Sequence, residues 1–260
     1  MEITTENYFE LKSRGLKRCE IATTFNMTDG QLKKYITKMG WAKPKPIIEF
    51  ENAFDELDEY SCYWGGFLAS DGNVDSKNRV RIMLNYDDTG HLEKFKEFLG
   101  STHQVSSNTD KYYRSSFELT SRHICCKLKE YFNIIPNKTD RLKFPSNLNT
   151  EQLRHYLRGY FDGDGSICES FSNKNSTTAT LYATFCSGCE DFTNTLFITL
   201  NSLLGLHGNN QKYSNKHQIK YCTKDAIVLL SWLYEDSEVY LDRKYTKYLD
   251  IVRNNNRKVR

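Results

Sequence analysis

Along most of the chain, apolar residues either recur at helical spacing or alternate with polar ones. Three short helical segments come first. Residues 4–14 carry Tyr8, Phe9 and Leu11 on one side and stop at Gly15. Residues 16–25 carry Ile21, Ala22 and Phe25. A third segment, capped by Thr28 or Asp29, carries Leu32, Ile36 and Met39, with Lys33, Lys34 and Lys38 on its other faces. This order suggests a helix-turn-helix spanning 1–41, with its third helix in a major groove and Thr28, Gln31 and Lys34 as base or phosphate contacts. A three-helix unit with a solvated basic face fits the same pattern. Residues 42–54 begin with Ala42-Lys-Pro-Lys-Pro-Ile and read as a linker.

From Asp55 onward the pattern runs through the same sequence of elements twice. A helix carrying Leu57, Tyr60, Trp64, Phe67 and Leu68 stops at Asp71-Gly72. Strands Asn73–Ser76 and Arg79–Asn85 follow, then a helix over His91–Leu99, strands His103–Ser107 and Lys111–Thr120, and a helix over Ser121–Phe132. After a crossing segment, a helix over Thr150–Phe161 ends at Asp164-Gly165. Strands Ser166–Phe171 and Thr178–Cys186, joined by residues 172–177, precede a helix over 190–204, a hairpin over 209–222, a helix over 224–234 and a last helix from Tyr240. The fold class is therefore α+β: a pseudo-twofold pair of αββαββα halves, 55–145 and 146–260. Two four-stranded antiparallel sheets, each with one polar face, would form a saddle.

The helix endings carry the chemistry. Residues 63–72 read Tyr-Trp-Gly-Gly-Phe-Leu-Ala-Ser-Asp-Gly, and 156–165 read Tyr-Leu-Arg-Gly-Tyr-Phe-Asp-Gly-Asp-Gly. The spacing from Gly66 to Asp71 equals that from Gly159 to Asp164. A helix C-terminus carries partial negative charge and unpaired carbonyls, which disfavours a carboxylate unless a cation sits there. Gly65, Gly66 and Gly159 would let the two helices touch, so that Asp71 and Asp164 hold Mg²⁺ between them, a hard ion that takes oxygen ligands. Carboxylates sharing divalent cations in front of a polyanion suit metal-assisted phosphodiester hydrolysis. Asp162 has no counterpart in the first copy, where Ala69 stands, and is not expected to be a ligand. Arg158 is expected to point away from the helix interface.

Charge agrees with a polyanionic partner. The formal net charge of +3 is uneven: residues 1–46 hold nine Lys/Arg against five Asp/Glu, and Arg253, Arg257, Lys258 and Arg260 close the chain without an acid. No run approaches the ~18–20 apolar residues of a membrane span. Met-Glu-Ile-Thr-Thr-Glu does not read as a secretory signal, so an intracellular location is expected, in a bacterium or a phage-infected cell or else in an organelle. The eight Cys are scattered and expected to be reduced, with Cys186-Ser-Gly-Cys189 a weak zinc signal. The six His show no nuclease-like pairing and are expected to be ordinary polar residues.

Trp64–Gly72 and Leu157–Gly165 resemble the two motifs of a single-chain LAGLIDADG homing endonuclease, over roughly residues 50–250. The resemblance implies a monomeric endonuclease that uses two or more Mg²⁺ ions and makes double-strand breaks in a long double-stranded DNA site, with short 3′ overhangs. It places the metal on Asp71 and Asp164, and a catalytic lysine in each half at Lys138 and Lys244. The polar strand faces would read base edges through Arg79, Arg81, Asn85, Arg114 and Ser116 in the first half, and through Thr180, Tyr182, Gln218 and Lys220 in the second. These sets differ, so the target should be asymmetric. A non-cleaving DNA-binding transcription regulator is an alternative, as is a maturase acting on intron RNA; an intein origin is not expected.

Overall fold

The computed structural model describes residues 3–42, 46–110, 112–171, 179–214 and 216–258, with side chains as far as 253. Four features of the sequence reading lie outside the described residues: Lys43-Pro44-Lys45 of the linker, Lys111 at one strand start, the 172–177 connection with Thr178 of the strand after it, and the side chains of Arg257, Lys258 and Arg260. The chain divides into two compact units, Met1–Pro46 and Ile47–Arg260.

In the first unit, α1 (Thr5–Ser13), α2 (Arg18–Thr24) and α3 (Asp29–Lys38) enclose their own core of Ile3, Tyr8, Ile21, Ala22, Phe25, Leu32 and Ile36. Thr28 caps α3 by accepting from the Gln31 amide, and Gln31 Oε1 accepts from the Thr28 amide at 2.8 Å. Arg18 grips Asp29 through Nε and Nη2, at 2.7 and 2.6 Å, and ties α2 to the start of α3. Phe9 and Met39, expected on the apolar faces, are exposed. Trp41 takes the place beside Tyr8 instead, its ring stacked with a centroid distance of 5.3 Å.

The second unit begins earlier than the expected linker end. Phe50 N–H donates to the Leu99 carbonyl at 3.1 Å, and Phe54 is fully buried with its ring edge-on to Phe98. Of residues 47–54, Phe54 joins the core and Ile48 and Ala53 pack partly against it, whereas Ile47 and Phe50 stay exposed.

That unit is an α+β fold built twice. The elements α4 (Glu59–Ser70), β1 (Gly72–Val74), β2 (Arg79–Asn85), α5 (Thr89–Phe98), β3 (Ser106–Asn108), β4 (Arg114–Thr120) and α6 (Arg122–Phe132) form the first half. The second comprises α7 (Thr150–Asp164), β5 (Ser166–Phe171), β6 (Ala179–Ser187), α8 (Glu190–Leu204), β7 (Asn209–Tyr213), β8 (Lys216–Cys222), α9 (Thr223–Tyr234) and α10 (Asp242–Lys258). The sheets have matching strand orders, β1-β2-β4-β3 and β5-β6-β8-β7, antiparallel throughout. Alternation holds: Val80, Ile82 and Leu84 lie inward with Phe117 and Leu119 opposite, while Arg79, Arg81, Met83 and Asn85 share the outer face. The β1 strand is shorter than expected, and β3 lies three residues later. In the second half Thr184, which alternation puts on the same face as Thr180 and Tyr182, is buried. Among the described residues no helix is long and apolar enough to cross a membrane.

Candidate active site

At the centre, α4 and α7 cross in backbone contact. A Cβ built on Gly66 would lie 1.8 Å from the Tyr156 carbonyl oxygen, and one on Gly159 would lie 1.9 Å from the Tyr63 carbonyl oxygen. The contact is reciprocal, as a pseudo-twofold axis requires. Gly65 does not share this role: a Cβ there would meet the Phe132 ring of α6 at 2.5 Å. The third glycine of the crossing is Gly163, where a Cβ would lie 1.9 Å from Ser70 Oγ. Gly163 stands one helical turn beyond Gly159, a spacing visible in the sequence.

This contact brings Asp71 and Asp164 to adjacent helix ends. Asp71 caps α4, whereas α7 continues through Asp164 and is capped by Gly165. Both carboxylates are open to solvent at their tips, yet most of their surroundings are protein. That loss of water, with Asp164 as the like charge nearby, pushes Asp71 up to about 6. Asp164 is also raised, by desolvation, against the pull of Lys138, Lys216 and Lys244.

Lys138 and Lys244 each close one helix end. Lys138 Nζ donates to the carbonyls of Ala69 (2.7 Å) and Ser70 (3.0 Å) at the end of α4. Lys244 Nζ donates to those of Phe161 (2.6 Å), Asp162 (2.8 Å) and Gly165 (2.6 Å) at the end of α7. Both ammonium groups thus meet the negative pole of a helix and its orphan carbonyls. Burial lowers each lysine to about 8, opposed for Lys138 by Asp164 and Asp71, and for Lys244 by Asp162. The four residues of the sequence reading come together, with the lysine protons directed at the backbone.

The donor set fits a hard divalent cation. It consists of two solvent-facing carboxylates crowded together, with helix-end carbonyls beside them and no thiol or imidazole. Among the described residues no group of three or more His, Cys, Asp or Glu converges as a metal cage. All eight cysteines are free thiols, including Cys186 and Cys189.

Behind the site lies a buried polar network that the sequence did not reveal. The Asp162 carboxylate accepts from Tyr63 Oη (2.7 Å), Tyr234 Oη (2.5 Å) and the Leu241 amide (2.7 Å), so it is unavailable as a ligand. Arg158, expected to point away, is fully buried. Its Nε donates to the Val239 carbonyl at 2.9 Å, and its Nη2 reaches Glu59 of α4 at 2.5 Å. A buried guanidinium must be paired, and Glu59 stands across the helix crossing.

His91 is not an ordinary polar residue either: it lies buried 3.0 Å from Tyr63 Oη. Tyr63 gives its one proton to Asp162, so His91 donates from Nε2, and its buried Nδ1 has no partner among the described residues, which suits the neutral ring. Burial, with Lys94 and Arg243 nearby, holds it down at about 3. The unfolded chain therefore takes up a proton as pH falls through 6.5, while the folded chain does not until near 3. In urea titrations, wild type is expected to lose about 1.4 kcal/mol per pH unit below 6.5 relative to His91→Gln. A constant difference between pH 7 and pH 4.5 would show that His91 is not buried neutral.

The outer faces of the sheets hold the other candidates. Arg79 and Arg81 are both engaged by acids, discussed below. Asn85 Oδ1 accepts from the Asp87 amide at 3.0 Å, Arg114 is exposed beside Met83, and Ser116 is half-buried. In the second sheet Lys220 lies over the Tyr182 ring at 3.7 Å, Gln218 approaches Cys186 Sγ at 3.8 Å, and Thr180 is half-buried. Register adds polar positions that the sequence reading missed: Asn73 beside Arg81, and Asn209 beside Lys220. They lie on short strands whose alternation is too brief to read.

No protein-family profile matches the chain, and no curated protein matches it. Its fold is that of the LAGLIDADG meganucleases. The solved structure of the LAGLIDADG meganuclease I-AabMI bound to uncleaved DNA superposes with a TM-score of 0.56 at 12% identity, covering 75% of this chain and 91% of that one. A double mutant of I-SmaMI gives 0.55 at 14% identity, covering 77% and 93%. The I-LtrWI LAGLIDADG homing endonuclease bound to target DNA gives 0.53 at 13%, covering 75% and 89%. Likeness at such identities establishes a fold, and chemistry has to be argued from the site.

Proposed function

We propose that this chain is a site-specific DNA endonuclease that makes double-strand breaks in a long, asymmetric target by Mg²⁺-assisted phosphodiester hydrolysis. One observation carries the reading: two carboxylates, one from each half, stand at touching helix ends between two sheets with polar outer faces. The DNA-bound meganucleases of the same fold support it. Asp71 and Asp164 would hold the cation, which when bound would lower the pKa of a water and stabilise the leaving oxygen. Lys138 and Lys244 neutralise the helix ends and fix the two turns that present these acids. Arg158 and Asp162 keep the second turn in register with the first. Residues 1–41 are read as a helix-turn-helix that extends the footprint, supported by a four-residue turn between α2 and α3 and by exposed Lys33, Lys34 and Lys38. The protein is read as a monomer acting inside the cell.

The test is cleavage of a randomised duplex library with Mg²⁺, with and without chelator. Selective, chelator-sensitive double-strand cutting is expected; binding without cutting under all metal conditions would favour the regulator. Cleavage should also fall roughly tenfold per pH unit below about 6, because the proton on Asp71 then competes with the cation. A flat rate between pH 7 and pH 5 would remove Asp71 from that role.

A further inference from the structure

The two arginines on β2 are not equivalent. Arg81 stands directly opposite Glu118 of β4 in the sheet register, and Arg79 lies two residues earlier on the same outer face. Arg81 Nε donates to Glu118 Oε2 at 2.6 Å, and its Nη2 contacts the same oxygen. Among the described residues no acceptor engages Arg81 Nη1. One edge of this guanidinium is therefore clamped while the edge formed by Nη1 and Nη2 is left open. Arg79 is used on every side: Nε and Nη2 bind Asp75 Oδ2 at 2.9 and 2.8 Å, and Nη1 binds the second oxygen of Glu118 at 3.3 Å. Asp75 is itself fixed, since its Oδ1 accepts from the backbone amides of Lys77 and Arg79.

Resting on the DNA reading above, we infer that Arg81 is a specificity residue that reads one guanine through its open edge, with Glu118 as its positioning residue and Arg79 as the buttress that holds Glu118. A guanidinium edge offers two parallel N–H groups, the complement of guanine O6 and N7 in the major groove. Two acids balance two arginines, so the cluster adds no net charge to attract phosphates. It contributes selectivity rather than general affinity. The second sheet differs: Lys220 rests on an aromatic ring, with no acid paired to it among the described residues.

The experiment compares wild type, Arg81→Ala, Arg81→Lys and Glu118→Gln, each shown to be folded by its thermal midpoint. Each full-length protein is profiled for base preference against the duplex pool recovered from the randomised library, and its affinity is titrated against salt. Wild type is expected to demand guanine at one base pair by about 10- to 100-fold. Arg81→Ala and Arg81→Lys should both abolish that preference, and Arg81→Lys should also leave the salt dependence unchanged, because the lysine keeps the charge and loses the fork. Glu118→Gln should weaken the same preference in part. An Arg81→Ala profile identical to wild type overturns the inference. So does a uniform loss across all sequences with a salt slope reduced by about one, since that marks a phosphate contact. Absence of any sequence-dependent DNA binding by wild type would overturn the DNA reading itself, and this inference with it.

Discussion

Gly66→Ala and Gly159→Ala are each expected to lower the thermal midpoint of the second unit by roughly 6–12 °C, from a loss of about 3 kcal/mol. A methyl on either residue would fall within 2 Å of a backbone carbonyl on the opposing helix, at 1.8 Å from Tyr156 and 1.9 Å from Tyr63. Backbone cannot rotate aside as a side chain can, so α4 and α7 must separate. Separation also strains Arg158–Glu59 and the hydroxyl contact of Tyr63 with Asp162, which cross the same interface. Gly90→Ala in α5 is the matched control. Nothing lies within 4 Å of its added methyl, so the ordinary helix gain of about 0.5–1 kcal/mol should appear. Equal midpoints for Gly66→Ala and Gly90→Ala would mean that the helices do not touch at this point.

How far this arrangement could be read in advance depends on the residue. Elements with strong periodicity were legible: the 190–204 helix and the Arg79–Asn85 strand fall where the pattern puts them. The motif repeat located Asp71, Asp164 and two of the three glycines at the crossing, because close backbone contact requires glycine. Gly65 misled since glycine also accommodates a large ring, here Phe132. Arg158 and His91 misled for a different reason. Buried polar groups look in sequence like exposed ones, and only partners from distant segments, such as Glu59 and Tyr63, make their burial tolerable. The same holds for Glu118, whose pairing with Arg81 exists only once the strands are in register.

The second large effect concerns the acids. Asp71→Asn and Asp164→Asn retain shape, and each removes one negative charge that burial already disfavours, helped at Asp71 by the like charge of Asp164. Folding should therefore be preserved, and DNA affinity should hold or rise as repulsion of phosphate is reduced. Catalysis should not survive, because an amide is a poor ligand for a hard cation and each half supplies only one acid. Double-strand cleavage is expected to fall on the order of 10³-fold or more. The decisive measurement is thus parallel binding and cleavage of the library-selected duplex in Mg²⁺ by wild type and the two variants. Retained binding with loss of double-strand breaks in both variants is the expected result, whereas cutting at the wild-type rate by either one would contradict a shared two-carboxylate hydrolytic centre.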